Sequence, residues 1–203
     1  MKLYIVRHGE TDWNTVKRIQ GQTDIELNEN GVHLAELTAE GLSDTGFDYI
    51  FSSPLKRARK TAEIIRGARP LPIFEDDRLK EMFFGDYEGT TKADRPEDCC
   101  ITTLFQDAGN YFPEGNAESL EDLVARAQAF LDERIFPIES SRPDAHILVL
   151  GHGALNKALM TCLMHWAKKD FWGYVQQKNC TVTIFEIKGG EATLIESGKT
   201  FYE

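Results

Sequence analysis

Leu3-Tyr4-Ile5-Val6-Arg7-His8-Gly9-Glu10 is an apolar run that ends abruptly in an arginine, a histidine and a glycine. Leu3 to Val6 includes two β-branched residues, which suits a strand covered on both faces. The pattern returns at Ile147-Leu148-Val149-Leu150-Gly151-His152-Gly153. In open parallel sheets, ligands bind beyond the carboxyl ends of the strands. His8 and His152 therefore belong to one candidate site, whereas His33, His146 and His165 lack this context. A neutral imidazole is a good nucleophile toward phosphorus, and a neighbouring guanidinium can hold phosphoryl oxygens in a fork. His8 is the expected nucleophile toward a phosphate ester, with Arg7 beside it.

Working outward, Thr11 to Gln20 reads as a loop with one short helical turn. Asn28-Glu29-Asn30-Gly31 is a turn and cap, followed by a helix over 32–43 with Leu34, Leu37 and Leu42 toward the core. Phe47 to Phe51 is a second strand. Ser53 reads as the N-cap of the next helix, with Pro54 as its first residue. Lys56 and Arg57 then fall in a first helical turn, where the macrodipole disfavours positive charge. Their placement makes sense with an anion among them. If the strands are parallel neighbours, Arg57, His8 and His152 meet at one sheet edge.

Pro70 to Phe74 is a short strand, and Leu79 to Gly89 carries Glu81 with Phe83, Phe84 and Tyr87. The stretch 90–117 has no sustained period, which suits a lid or binding loop better than core. Ser119-Leu120-Glu121-Asp122 has capping-box spacing and opens the clearest helix, with Leu120, Leu123, Val124, Ala127 and Leu131 on one face. After His152 a helix carries Leu155, Leu159, Cys162, Leu163 and Trp166 near one face. Thr181 to Ile187 and Ala192 to Ile195, joined at Lys188-Gly189-Gly190, form a hairpin, so the parallel sheet ends in an antiparallel edge.

Composition narrows the classes. A chain of 203 residues suits one domain spanning 1–203, with the irregular stretch at about 83–117 as a lid-like insertion. The net charge of −10 argues against nucleic acid, and no apolar run is long enough for a bilayer. Met1-Lys2 leads straight into a strand, so the expected location is the cytoplasm. Cys99, Cys100, Cys162 and Cys180 form no Cys-x-x-Cys pair, which fits a reducing compartment.

Other phosphate chemistries fail on spacing. Six positions after the four cysteines stand Phe105, Gln106, Lys168 and Glu186, so no cysteine nucleophile has its arginine. No Asp-x-Asp occurs. Gly198-Lys199-Thr200 imitates the end of a P-loop, but the first glycine position is Thr193 and no helix can follow. No metal-ligand spacing is present.

Arg7-His8-Gly9-Glu10-Thr11, Ser52-Ser53-Pro54-Leu55-Lys56-Arg57-Ala58, Glu81 and Gly85 within 79–89, and Gly151-His152-Gly153 together resemble the histidine phosphatase superfamily, also called phosphoglycerate mutase-like. The resemblance runs along nearly the whole chain. It implies a three-layer α/β/α sandwich, mostly parallel with an antiparallel edge strand, and a phosphohistidine on His8. It surrounds the phosphoryl group with Arg7, Arg57, His152 and Asn14, and makes Glu81 the proton donor and later the base. Gln20, Gly21, Lys92 and Gly153 are the further substrate-binding positions. It implies no cofactor and no metal, and a small phosphorylated substrate.

Hydrolysis and mutase chemistry differ in the grip on substrate. Mutases of this family carry an arginine pair on a longer insertion. Here 92–117 offers only Lys92 and Arg95 against five carboxylates, and the mutase tyrosine is replaced by Phe84. The expectation is a metal-independent phosphomonoesterase, with a cofactor-dependent phosphoglycerate mutase as the alternative. Lys92, near a lysine that mutases use, favours that alternative. A non-catalytic phosphate-binding module comes third, since such relatives lose the histidine or the acid. Phe83, Phe84, Phe105, Tyr111 and Phe112 read first as packing residues and second as an apolar rim.

Overall fold

The computed structural model describes residues 1–173 and 177–202. In chain order the main elements are β1 (Lys2–Arg7), α1 (Asp12–Thr15), α2 (Glu29–Gly41), β2 (Tyr49–Ser52), α3 (Lys56–Arg66) and β3 (Ile73–Glu75). Then come α4 (Cys100–Gln106), α5 (Leu120–Phe130), α6 (Phe136–Ser141), β4 (His146–Gly151), α7 (Gly153–Met164), β5 (Val182–Lys188) and β6 (Glu191–Lys199). One π-helical stretch, Leu131–Ile135, joins α5 to α6.

The six strands form one sheet in the order β3-β2-β4-β1-β5-β6. β1 lies parallel to β4, β4 to β2 and β2 to β3, while β5 runs antiparallel to both β1 and β6. The reversed strand is thus second from the edge. The hairpin turns at Gly189 and Gly190, both with positive φ of 62° and 82°, as a tight two-residue turn requires. β6 extends well past the expected Ile195, and its pairing with β5 is interrupted by two register shifts.

Strand residues alternate between two cores, which is why the central strands read as continuous apolar runs. Leu3, Ile5, Ile147 and Val149 pack with Leu123, Phe130, Leu155 and Leu159 from α5 and α7. Tyr4, Val6, Leu148 and Leu150 face the other way, onto Leu42 and onto Ala62 and Ile65 of α3. The result is the expected three-layer sandwich.

Three local expectations need correction. The buried face of α2 is Gly31, Ala35 and Thr38, with Leu34 and Leu37 only half-buried. Small residues line it because the helix start packs directly on the loop after β1. A Cβ on Gly9 would lie 2.4 Å from the Gly31 carbonyl oxygen, and one on Gly31 would lie 2.0 Å from that of Glu10. Next, α3 begins at Lys56 rather than at Pro54, with Leu55 as an N-cap lacking side-chain oxygen. Finally, 90–117 contains α4, which buries Cys100, Ile101 and Leu104. Two helical turns are too short for a period to show.

Candidate active site

Register sets the site. Arg7 lies opposite Gly151, and Ser52 opposite Leu150, so Arg7-His8, Ser53 and His152 leave the sheet at one level. The chain leaves β1 toward the layer of α2 and leaves β4 toward that of α7. Between those neighbours the winding direction switches, which opens a crevice at the strand ends.

His8 is buried there, its ring centroid 5.1 Å from that of His152. Its Nδ1 lies 2.6 Å from the Gly9 carbonyl oxygen, so Nδ1 carries the hydrogen and Nε2 the lone pair. The loop is pinned by Gly9 N–H donating to Thr61 Oγ1 (3.0 Å) and by Asn179 Nδ2 donating to the His8 and Gly9 carbonyls (both 3.1 Å). Burial, then the Arg57 and Arg7 charges, hold the His8 pKa well below the usual histidine range. His152 is lowered in the same way, by burial first and then by Arg57 and His8.

His152 Nε2 lies 2.8 Å from Ser53 Oγ. Ser53 Oγ also accepts from Leu55 N–H (3.3 Å), which holds the hydroxyl against the imidazole. This contact explains the shifted start of α3. The serine serves the histidine, and Lys56 N–H donates instead to Asp24 Oδ1 at 2.8 Å.

Arg57 is fully buried, donating through Nη1 to the Thr23 carbonyl (2.9 Å) and through Nη2 to that of Gly21 (2.7 Å). Burial lowers its pKa to about 10, while Glu81 opposes the shift. Burial lowers Arg7 as well, against Glu81. Arg7 also donates to the Gln177 carbonyl through Nη1. Arg7 Nε, Arg57 Nε and His152 Nδ1 are buried without a partner among the described residues, so the two guanidinium N–H groups, on residues that line the cleft, remain for ligand oxygens.

The loop holding Arg57 is shaped by a residue that sequence reasoning missed. Glu88 accepts from the N–H groups of Gln22 (2.8 Å), Thr23 (2.9 Å) and Phe84 (3.2 Å) and from the Thr23 hydroxyl (2.6 Å). Gly21 has φ +54°, and a Cβ there would sit 1.9 Å from Glu88 Oε1. The glycine makes room for that carboxylate.

Glu81 lies at the start of α7. Its Oε1 accepts from Met82 N–H (2.9 Å) and Leu155 N–H (3.0 Å), and its Oε2 from Ala154 N–H (3.2 Å). Its carbonyl accepts from Arg126 Nη2 (3.0 Å) and Gln22 Nε2 (3.1 Å). Arg126 is itself held by Glu118 at 2.6 Å. A Cβ on Gly153 would lie 3.5 Å from Glu81 Oε2 and 3.9 Å from Arg7, so acid and guanidinium flank the same backbone. Asn14 caps α1 with Thr11, and its Oδ1 accepts from Thr11 N–H (3.1 Å) and Asn179 Nδ2 (3.3 Å). That anchors the amide by its oxygen.

These groups border a cleft of about 610 Å³. Arg7, His8, Arg57 and Glu81 line it, as do Asn14, Gln20, Gly21 and Gly153. His152 is not among the lining residues, and its ring packs beside that of His8. Lys92 departs from expectation: it is exposed and absent from the lining, because Thr91 and Asp94 close a capping box (Thr91 N–H to Asp94 Oδ2, 2.7 Å) that winds the segment as a separate turn. Lys56 also points outward and pairs with Glu26 at 3.1 Å. The cleft instead receives Arg18 and Lys157, both unforeseen. Lys157 did leave a trace in the sequence, as a lone cation inside the apolar run of α7.

The aromatics divide. Phe84 and Phe105 line the cleft with Trp172, and the Phe105 and Trp172 rings are 5.1 Å apart. Tyr111 is core, its hydroxyl donating to the Glu118 carbonyl at 2.9 Å. Phe112 is 82% exposed. Among the described residues no cluster of three or more His, Cys, Asp or Glu could hold a metal, and no helix is long and apolar enough to cross a membrane.

The family model of the histidine phosphatase superfamily (branch 1) matches residues 3–200. The chain is 41% identical over 157 residues to an uncharacterized phosphatase, PhoE, of Bacillus subtilis, covering 77% of this chain and 74% of the relative. It is 33% identical over 167 residues to a "probable phosphoglycerate mutase GpmB" of Serratia proteamaculans, covering 81% and 75%. A mycobacterial glucosyl-3-phosphoglycerate phosphatase solved with VO3 superposes with a TM-score of 0.88 at 28% identity, covering 98% of this chain and 99% of that one.

Proposed function

The chain belongs to the histidine phosphatase superfamily and is an enzyme of phosphatase or mutase-like function, and from that premise we propose a metal-independent phosphomonoesterase working through a phosphohistidine on His8. The observation that carries this reading is the tautomer of His8. With Nδ1 hydrogen-bonded to the Gly9 carbonyl at 2.6 Å, Nε2 is the unprotonated nitrogen.

In the proposed first step Nε2 attacks phosphorus and the ester oxygen leaves. Arg7, Arg57, His152 and the Asn14 amide nitrogen stabilise the equatorial oxygens, the charge work that phosphoryl transfer chiefly demands. Glu81 gives its proton to the leaving oxygen, then takes one from the water that attacks the phosphohistidine. Phosphate departs and His8 returns neutral. We assign residues 1–203 to one catalytic unit, with the stretch at about 83–117 covering the cleft through Phe84 and Phe105. A small phosphorylated metabolite is the substrate class.

The test is phosphate release from an aryl phosphate in excess chelator. Wild type should turn over, and His8→Ala should lose at least about 10³-fold in kcat. Turnover that persists in the variant overturns the His8 mechanism. Similarity to the probable mutase favours a second reading. Against it, neither Lys92 nor Arg95 lines the cleft, which leaves the insertion no cationic grip there. Formation of 2-phosphoglycerate from 3-phosphoglycerate after bisphosphate priming would establish that reading.

A further inference from the structure

Glu81 sits on a stretch that no strand ladder holds. Residues 80–84 lie between two short helical turns, Asp77–Leu79 and Gly85–Tyr87, and belong to no helix or strand. The backbone groups of such a stretch need partners from elsewhere, and its position is as firm as those partners. They come from α5 and from Glu118, just before it. Arg126 Nη1 donates to the Arg78 and Lys80 carbonyls (both 2.6 Å), and Nη2 to that of Glu81 (3.0 Å). Nε and Nη2 also grip the two carboxylate oxygens of Glu118, at 2.6 and 3.0 Å. Together these bonds use every N–H that a guanidinium has.

Glu118 closes the clamp from the other side. Its Oε2 accepts from Phe83 N–H (3.0 Å), its own N–H donates to the Phe83 carbonyl (2.7 Å), and its carbonyl accepts from the Tyr111 hydroxyl. The ion pair therefore bonds the backbone at 78, 80, 81 and 83, with the acid in the middle. Arg126 and Glu118 side chains are only 18% and 14% exposed, which limits screening of the pair by solvent. A lysine has the charge, but not the planar fork that meets three carbonyls and a carboxylate at once. Neither Arg126 nor Glu118 lines the cleft, so their route to the reaction runs through the backbone of Glu81.

Resting on the phosphatase reading above, we propose that Arg126 and Glu118 are positioning residues for the proton donor: their clamp sets Glu81 at the leaving oxygen and acts on the reaction through Glu81 alone. Misplacing a catalytic group by about 1 Å can lower the rate roughly 10²-fold, within the 10²–10⁴-fold or so that a general acid supplies. The loss falls only where a proton is needed. An alkoxide cannot leave without one, whereas the anion of a strongly acidic phenol can. The clamp therefore governs turnover of alkyl phosphates and has little bearing on activated aryl phosphates.

Benzyl phosphate and dinitrophenyl phosphate serve as probes, since both carry one aromatic ring and only the first has an alkoxide to expel. Their kcat/KM values are measured in wild type, Arg126→Met, Glu81→Gln and the double variant. That quantity covers the steps up to departure of the leaving group, so the later attack of water does not enter. Arg126→Met should lose about 10²-fold on the benzyl ester and about threefold or less on the dinitrophenyl ester, and Arg126→Lys should recover little. Glu81→Gln should show the same selectivity, and adding Arg126→Met to it should lower the rate by no more than about twofold further. Equal losses on the two esters, or losses that multiply in the double variant, overturn the proposal. If Arg126→Met does not fold, Glu118→Gln reads the same selectivity, at about tenfold. The carboxyl carbon resonance of Glu81, assigned by its disappearance in Glu81→Gln, decides the clamp without turnover: it should move in Arg126→Met, and an unmoved resonance overturns the positioning role. A wild type inactive toward both esters would sink the hydrolytic reading separately.

Discussion

Ser53 shows how a single hydroxyl can be read correctly as a hydrogen-bonding group and assigned the wrong partner. Sequence places it where an N-cap belongs, yet its oxygen serves His152 at 2.8 Å. Replacing it by alanine leaves a buried imidazole nitrogen unpaired, at about 1–3 kcal/mol. Ser53→Ala should lower kcat about ten- to hundredfold with little change in KM, and Ser53→Thr should recover part of the loss. Equal kinetics in wild type and Ser53→Ala would remove the serine from the positioning of His152. The legible residues were those with strong local context: two histidines after apolar strands, and an arginine in a helical first turn. Glu88 and Arg126 were illegible because each acts on backbone groups distant in sequence, Glu88 on 22–23 and Arg126 on the Glu81 carbonyl. No local pattern encodes such reach.

At the scale of elements, the contact between the β1 loop and the start of α2 fixes where His8 sits. It is a backbone-to-backbone approach, with no soft side chain to yield. Gly31→Ala should cost ~3 kcal/mol, the upper range for overpacking. Gly46, with open space around its Cα and φ outside the left-handed region, is the control. Gly46→Ala should be neutral or stabilising by about 0.4–1 kcal/mol. Denaturant melts of the two variants check the pair, and similar losses at both would refute the contact. Long elements were readable because periodicity accumulates: β1, β4, α5 and α7 all stand where the apolar pattern puts them. The seven residues of α4 carry too little signal, and the start of α3 was misplaced because its cap comes from Asp24, far away in sequence.

For the whole molecule, the two buried histidines link stability to pH. Unfolded, each takes up a proton below about pH 6.5; folded, burial and Arg57 keep both neutral to well below that. The unfolded state then binds more protons, so stability falls as pH drops through and below about 6.5. Wild-type Tm should decline between pH 7 and pH 5, and His8→Asn or His152→Asn should show a shallower slope. Parallel slopes in all three proteins would contradict the buried neutral pair.

The sheet also has two ends, and both are blunt. β3 is three residues long, and β6 breaks its ladder twice while carrying Glu191, Glu196 and Lys199. Neither rim offers a long flat row of free amides and carbonyls, the template that an incoming strand needs to extend a sheet. Crowded at high concentration, such a molecule has little to seed cross-β stacking with its neighbours.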